Sequence, residues 1–448
     1  MPQVKPRGPH GTKPQKQAPR PEPAGFEARR VAHASVAEVL RTGTGLDEIL
    51  ARYPHSDPLA RAIAVTTFRR LGTLGRILNA RLAKGLSADE RAFALLATGA
   101  AQILFLNVPD HAAVDLSVEL ARSDPKLRHL TGLANAVLRR VARDREHILA
   151  EDVTPLEDAP VWLAERWGAA YGAGRATSIA EAHREGATVD LTVKRDPEGW
   201  AERLGGRLLP TGSIRLTDRT AVPELAGFEA GEWWVQDAAA AIPARLLGVR
   251  LGERVLDLCA APGGKTAQLA AAGAKVTAVD RSASRLNRLR QNLERLRLNA
   301  EVVCGDGLAF DAPPFDAVLL DAPCTATGTI RRHPDVAWTK KEGDLASLCD
   351  LQRRMLEHAA TLVRPGGRLV YCVCSLEPEE GEVQAAGFLE RHPQFERVPV
   401  RADETGLGRS AVTGHGDLRT LPDGHGLPEA FGRGLDGFFA LRVSRKPA

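Results

Sequence analysis

The sequence predicts an α/β protein in which an all-α bundle precedes a doubly wound parallel sheet, and three observations carry that prediction. From about Ala28 to Arg145 the apolar residues recur at helical spacing, as in Leu71, Leu74, Leu78 and Leu82. From Arg254 onward, short apolar runs, turns and helical stretches alternate, which is the rhythm of a parallel sheet covered by helices. A length of 448 residues, 44% hydrophobic and 26% charged, suffices for two or three cores.

Seven basic residues stand against Glu22 and Glu27 in the first 30 residues, and seven prolines in the first 24 keep that segment from folding. Residues 1–27 therefore read as a disordered basic arm, either a polyphosphate contact or a solubilising tail. In the helical region, 28–150, Ser87-Ala88-Asp89-Glu90 reads as a capping box ahead of the Phe93–Leu106 run, which Pro109 closes. Asp124-Pro125 reads as an N-cap followed by proline at the first helical position. His55, His111 and His129 are scattered singly, so this half carries no catalytic spacing.

Residues 151–186, broken by Pro155, Pro160, Gly168, Gly172 and Gly174, read as linker helices. Residues 187–250 form a small α/β subdomain: Thr188–Lys194 alternates like a strand, and Trp233–Val235 precedes a helix expected near Asp237. In 251–448 the expected order is strand Val255–Cys259, helix Thr266–Ala272, strand Lys275–Asp280, helix Ser284–Leu298 and strand Val302–Cys304. Strand Ala317–Asp321, helix Leu345–Val363 and strand Arg368–Cys374 follow.

The longest uncharged stretch, 92–109, is interrupted by Thr98, Gly99, Gln102 and Asn107, which argues for a core helix over a membrane span. No signal-like segment opens the sequence, and the six cysteines show no CxxC pair. A cytoplasmic monomer with no membrane association is the expectation.

The first strand runs into Cys259-Ala260-Ala261-Pro262-Gly263-Gly264-Lys265-Thr266, small residues that let a ligand approach the backbone. A phosphate-binding P-loop would need its first glycine at position 259, which is Cys259, and the dinucleotide fingerprint G-x-G-x-x-G is absent. A nucleoside cofactor without a long phosphate chain remains. Asp280 ends the second strand, 17 residues beyond Gly263, where a carboxylate can hold a ribose diol. Asp306 follows the third strand and suits an exocyclic amine, while Asp257 suits an ammonium group. Any one of these aspartates, or Asp321, equally fits a helix or turn cap.

Asp321-Ala322-Pro323-Cys324 and Cys372-Val373-Cys374 end two further strands, so two thiols converge on one crevice and one of them is the candidate nucleophile. Cys304 and Cys349, and also Cys259 and Cys372, read as small buried hydrophobes. A Cys372/Cys374 metal pair lacks completing ligands, so no metal is expected. The helix from Arg281 to Arg297 has six arginines around a stripe of Leu286, Leu289, Leu293 and Leu296, which reads as a solvated face or a phosphate contact.

DLCAAPGGKT, AVDRS, GDG, LLDAPCTATGTIRRHPDVAW and LVYCVCSLEPEE together resemble the S-adenosylmethionine-dependent RNA cytosine-5 methyltransferases. They resemble in particular the RsmB (Fmu/Sun) branch that modifies 16S ribosomal RNA. The likeness runs from about Thr188 to Val443 and takes in Trp233–Ala238 and Gly434–Ala440. Ala28–Arg145, most clearly TGLANAVLRR, is similar to the NusB-like helical RNA-binding domain of that branch.

The resemblance implies a Rossmann-like methyltransferase domain with S-adenosylmethionine as cofactor. Cys259, Ala260, Ala261, Pro262, Gly263, Gly264 and Lys265 would wrap its methionine part, with Arg285 beside them, Asp280 on the ribose and Asp306 near the adenine. Asp321 and Pro323 would face the cytosine, Cys374 would attack C6, and Cys324 would assist product release. The family usually has threonine where Val373 stands. RNA would meet Arg331, Arg332, His333, the arm and the bundle. Two alternatives remain at this point: another RNA target such as transfer RNA, or a non-catalytic RNA-binding assembly or transcription factor. The paired thiols argue against the second.

Overall fold

The computed structural model describes residues 23–82, 85, 89–151, 153–217, 221–432 and 434–447. Most of the basic arm, and Ser87 of the expected capping box, lie outside them. The observed cap is Asp89, whose side chain accepts from the Arg91 amide and opens helix Glu90–Phe105. Asp124 does cap the turn at Pro125, its side chain accepting from the Lys126 amide at 2.8 Å, but that turn opens no α-helix. Asp124 closes helix Asp110–Ser123, and the next α-helix begins only at Thr131, after a turn and a 3₁₀ stretch at Arg128–Leu130. Proline does set a helical turn there, since the Leu127 and Arg128 amides both donate to the Asp124 carbonyl, but the turn does not propagate.

Helix Glu90–Phe105 is the axis of the N-terminal bundle because it is apolar on nearly every side. Leu95, Ile103 and Leu104 bury against Leu74 and Leu78 of helix Leu71–Asn79 and against Val137, Leu138 and Val141 of helix Thr131–Arg143. Helices Phe26–Thr42 and Pro58–Arg69 close a second core around Val36, Ile49 and Phe68. No described helix is long and apolar enough to cross a membrane.

Residues 155–185 form a 3₁₀ turn at Pro155–Asp158 and helices Val161–Tyr171 and Ala173–Glu185. Leu163, Trp167 and Ile179 are buried together with Ile330, Ala337 and Leu376 from the C-terminal part. Asp158 takes ion pairs from Arg70 and Arg184, and Glu157 takes one from Arg76. This stretch is thus wedged between the bundle and the sheet.

A small antiparallel sheet of β1 (Asp190–Val193), β2 (Arg207–Leu208), β3 (Ile214–Arg215) and β4 (Trp233–Val235) follows, in the order β2-β3-β1-β4. Near Asp237 the chain makes a turn that its carboxylate caps at the Ala239 amide, and the α-helix proper runs Ile242–Leu246.

The large sheet contains β5 (Arg254–Leu258), β6 (Lys275–Asp280), β7 (Glu301–Cys304), β8 (Phe315–Asp321), β9 (Val363–Val373), β10 (Phe395–Arg397), β11 (Leu418–Thr420) and β12 (Phe438–Arg445). Its order is β10-β12-β9-β8-β5-β6-β7, with β11 on β12. Strands β5 to β9 are mutually parallel, whereas β12 is antiparallel to β9. The C-terminal region therefore has the expected Rossmann-like doubly wound architecture. Cys304 corrects the expectation for it, because β7 is an edge strand and leaves the thiol exposed; Cys349 is only half-buried. Cys372, in the sheet interior, is buried as expected.

Candidate active site

From β5 the chain winds outward through β6 and β7, then returns to β8 on the other side of β5. The switch point therefore falls between β5 and β8, where a crevice opens at their carboxyl ends. Two cavities meet there. One, of about 460 Å³, is lined by the 260–265 loop and by Asp257, Arg332 and His333. The other, of about 360 Å³, is lined by Cys259, Asp280, Asp306, Pro323 and Cys324. Arg285, Asp321 and Cys374 border both.

The 259–265 loop is shaped by backbone demands. Gly263 has φ +104°, and a Cβ there would lie 2.8 Å from Leu289 Cγ, so only glycine fits. Asp280 Oδ2 accepts from the Ala261 amide at 3.1 Å, and Arg285 donates to the Ala261 carbonyl, which holds the loop against β6 and the helix Ala283–Leu296. Asp280 is buried, with Arg285 3.6 Å away.

Asp257 is fully buried. Its Oδ2 accepts from Thr266 Oγ1 at 2.6 Å, but among the described residues nothing bonds its Oδ1. Burial raises this carboxyl to about 7. A buried acceptor on a cavity wall suits a ligand ammonium group, and two further carboxylates on the second cavity suit hydroxyl and amine donors. The donor set thus fits S-adenosylmethionine: Asp257 for its ammonium and Asp280 for its ribose. Asp306, exposed at the far wall, uses Oδ1 to accept from the Leu308 amide at 3.0 Å.

Lys265 Nζ donates to Asp321 Oδ2 at 2.8 Å and lies 4.9 Å from the centre of the Phe438 ring. Burial opposes its charge, yet the Asp321 carboxylate outweighs this and raises its pKa. Sequence placed Lys265 only in the cofactor loop; its head serves Asp321.

The two thiols come together as expected, with Cys324 Sγ and Cys374 Sγ 3.6 Å apart. The neighbouring Cys374 sulfur and full burial push the Cys324 thiol well up, which keeps it protonated, while burial pushes the Cys259 thiol up to about 12. Gly328 fixes the end of β9: its amide donates to the Cys374 carbonyl at 3.0 Å, and a Cβ there would sit 2.0 Å from the Gly437 oxygen. Beneath Cys324, buried Glu380 accepts from the Thr325 amide at 2.9 Å, from the Thr325 hydroxyl, and from Gln352 Nε2 at 2.8 Å. Pro323 is tied through its carbonyl to the same Gln352.

Arg331 is a correction to the expected RNA contacts. Its side chain is 0% exposed, 3.3 Å from Asp436 and 3.9 Å from Asp237, so it cannot reach a polynucleotide. Arg332 and His333 do line the larger cavity, with Arg332 paired to Asp436 at 2.5 Å. Sequence reasoning missed Asp237, Asp436 and Glu380. All three lie in stretches it singled out, Trp233–Ala238, Gly434–Ala440 and LVYCVCSLEPEE, but only the fold brings Asp237 and Asp436 to one arginine pair. Of the helix arginines, Arg295 donates to the Phe228 and Trp233 carbonyls, while Leu286, Leu289, Leu293 and Leu296 are buried as expected.

Residues 244–440 match the family described as 16S rRNA methyltransferase RsmB/F, and residues 26–143 match the NusB family. Ribosomal RNA small subunit methyltransferase B of Yersinia pestis bv. Antiqua (strain Angola) is 36% identical over 449 residues, spanning 94% of this chain and 99% of its own. The protein of the same name from Yersinia pseudotuberculosis serotype O:1b (strain IP 31758) matches to the same extent. Among solved structures, PH0851 superposes with a TM-score of 0.72 at 24% identity, covering 93% of this chain and 99% of its own, which shows a shared fold. A methyltransferase homolog from Pyrococcus horikoshii gives 0.52 at 28% identity over 63% of this chain and 93% of its own. With the crevice at the sheet switch point, the paired thiols and this likeness over nearly the whole length, the chain belongs to the 16S rRNA methyltransferase RsmB/F family.

Proposed function

We propose that this methyltransferase acts on C5 of a cytosine in small-subunit ribosomal RNA, through a covalent bond between Cys374 and cytosine C6. The reading rests on one observation above all: two thiols 3.6 Å apart at the junction of the two cavities, beside a carboxylate held by a buried lysine. When bound, S-adenosylmethionine supplies an electrophilic methyl group. The residues of the chain do the rest.

Cytosine C5 is a weak nucleophile. Addition of the Cys374 sulfur to C6 breaks the C5–C6 double bond and makes C5 enamine-like, dividing one difficult step into two easier ones. Asp321, oriented by Lys265, holds the base and stabilises the proton on N3. After C5 has gained its methyl group it loses its proton to a water or other base, the electron pair left behind re-forms the C5–C6 double bond and expels the Cys374 sulfur, and N3 gives its proton back. Cys324, protonated and in contact with that sulfur, is placed to assist the release. A paired base does not enter such a pocket, so the target is unpaired or flipped. Asp257, Asp280 and the 260–265 loop bind the cofactor, and Arg332 and His333 meet the RNA. A cytoplasmic, monomeric enzyme completes the proposal.

Bisulfite sequencing of ribosomal RNA from cells with and without the protein tests the target: one cytosine of the small-subunit RNA loses protection when the protein is absent. Methylation confined to transfer RNA would reassign the substrate. For the chemistry, Cys324→Ala accumulates an RNA–protein adduct that survives denaturing gels, and Cys374→Ala forms none; the reverse pattern exchanges the roles of the two thiols.

A further inference from the structure

We infer that the helical N-terminal region is a working part of the active site, with Asp47 positioning, through His333, the Arg332 guanidinium that lines the substrate cavity. This rests on the proposed reaction and adds to it a residue more than 300 positions away from Cys374.

The segment that follows the Cys324 loop, residues 329–339, is gripped by the bundle at four points. The Leu46 amide donates to Asp335 Oδ2 at 2.9 Å, and Arg69 Nη2 donates to the Arg331 carbonyl at 3.1 Å. Trp338 Nε1 donates to the Phe68 carbonyl at 3.0 Å while its ring packs on the core around Phe68. Asp47 Oδ2 lies 3.0 Å from His333 Nδ1.

The first three contacts carry the packing. The fourth points to the chemistry. His333 Nε2 lies 3.3 Å from Arg332 Nη1, which can only donate. With Nε2 accepting, the ring proton sits on Nδ1 and faces Asp47, so the two neighbours together fix the tautomer and the plane of the imidazole. Arg332 Nε and Nη2 are both spent on Asp436 Oδ2, at 2.6 and 2.5 Å. Those two bonds set the plane of the guanidinium, and Nη1 is the remaining nitrogen, for which His333 Nε2 is the acceptor that keeps the group from tilting. Arg332 and His333 both border the cavity that holds Cys374. The His333 hydrogen bond keeps the Asp47 carboxyl well below the usual carboxylate range, so the acceptor stays charged.

The pair is partly solvated, at 33% and 41% side-chain exposure, and such a pair contributes little to folding. Its loss should therefore affect turnover and leave stability alone. Asp47 also pairs with Arg61 at 2.6 Å on the outer side, which supplies a control that touches Asp47 without touching His333.

In the full-length protein, Asp47→Ala is expected to lower kcat five- to twentyfold at saturating RNA, with Tm and S-adenosylmethionine affinity unchanged. Asp47→Asn, which keeps an acceptor for Nδ1–H, restores at least half of the activity, and Arg61→Ala matches the wild type. His333→Ala gives a comparable loss, and the double variant loses no more than His333→Ala alone. Amide exchange across residues 329–339, followed by mass spectrometry, quickens in Asp47→Ala and not in Arg61→Ala. A kcat within twofold of wild type, additive losses, or losses that track Tm overturn the inference. The exchange measurement needs no turnover, so a wild-type protein that makes no 5-methylcytosine but shows the exchange change refutes the reaction and not the positioning.

Discussion

Residues 259–265 and residues 325–339 face each other across the site but are held in opposite ways. The first loop takes its hydrogen bonds from the strand and helix that come next, at sequence separations of 19, 24 and 30. The second takes its bonds from Glu380, Asp436, Arg69, Phe68 and Leu46, at separations of 55, 104, 262, 270 and 289. Apart from the Lys265–Asp321 pair, the first loop is therefore held once β6 and the helix Ala283–Leu296 after it have formed. The substrate wall needs both ends of the molecule. A substitution near the first should act mainly on ligand binding, whereas one at a buried contact under the second, unlike the half-exposed Asp47–His333 pair, should spread to stability and turnover together.

The largest effect should come from Glu380→Ala. Glu380 is fully buried, and its loss strands the Thr325 amide and takes one partner each from the Thr325 hydroxyl and Gln352. Each buried donor left without a partner costs about 1–3 kcal/mol. Chemical denaturation should show a loss of that order or more, accompanied by loss of turnover; a stable, active Glu380→Ala protein would mean that the second segment is held locally after all. Glu380→Gln, which keeps one acceptor, should lie between.

Asp280→Ala comes next and should act on binding. Removing a charged acceptor costs about 1.5–3 kcal/mol, a ten- to hundredfold weaker S-adenosylmethionine affinity by calorimetry. The Tm should fall as well, because Asp280 also accepts from the Ala261 and Ser282 amides, and the sharper expectation is that affinity is lost at temperatures where the chain is still folded.

The smallest effect is a pH dependence at Asp257. Burial raises its carboxyl to about 7, against an ordinary value near 3.9. Between those values the folded chain holds a proton that the unfolded chain has released. The ligand-free protein therefore loses stability as pH rises through that window. Binding of a ligand ammonium runs the other way, because it requires the ionised carboxylate. Affinity should rise by up to about tenfold per pH unit as pH approaches 7, and level off before the ligand's own amino group titrates near 7.7–8.0. Asp257→Asn should flatten that profile; a slope that survives the substitution would assign it to another group.

The same contrast explains what could be read in advance. Strand β6 runs from Lys275 to Asp280 as the alternation indicated, and Asp257, Asp280 and the glycine loop could be expected at one crevice, because local periodicity and short spacing put them at neighbouring strand ends. Arg331 could not. Arg331-Arg332-His333 looks like a basic patch in any local window, and nothing within that window announces that Asp237 and Asp436 will bury the first of the three. The linker helices pose the same problem: proline and glycine marked residues 151–186 as a connector, while the burial of Trp167 against Leu376 depends on surfaces 200 residues apart.

Strand β12 lies between β10 and β9, not at the sheet margin, and its Ala440 pairs with Cys372, two residues before Cys374. On the ribosome, β9 emerges with one side open and stays so through the synthesis of some 65 further residues. An unpaired interior strand is a site for mispairing with other chains. The catalytic centre therefore matures only after Phe438–Arg445 has left the exit tunnel, and stalled or truncated translation products lacking that strand are clients for chaperones and proteases, not partly active enzymes.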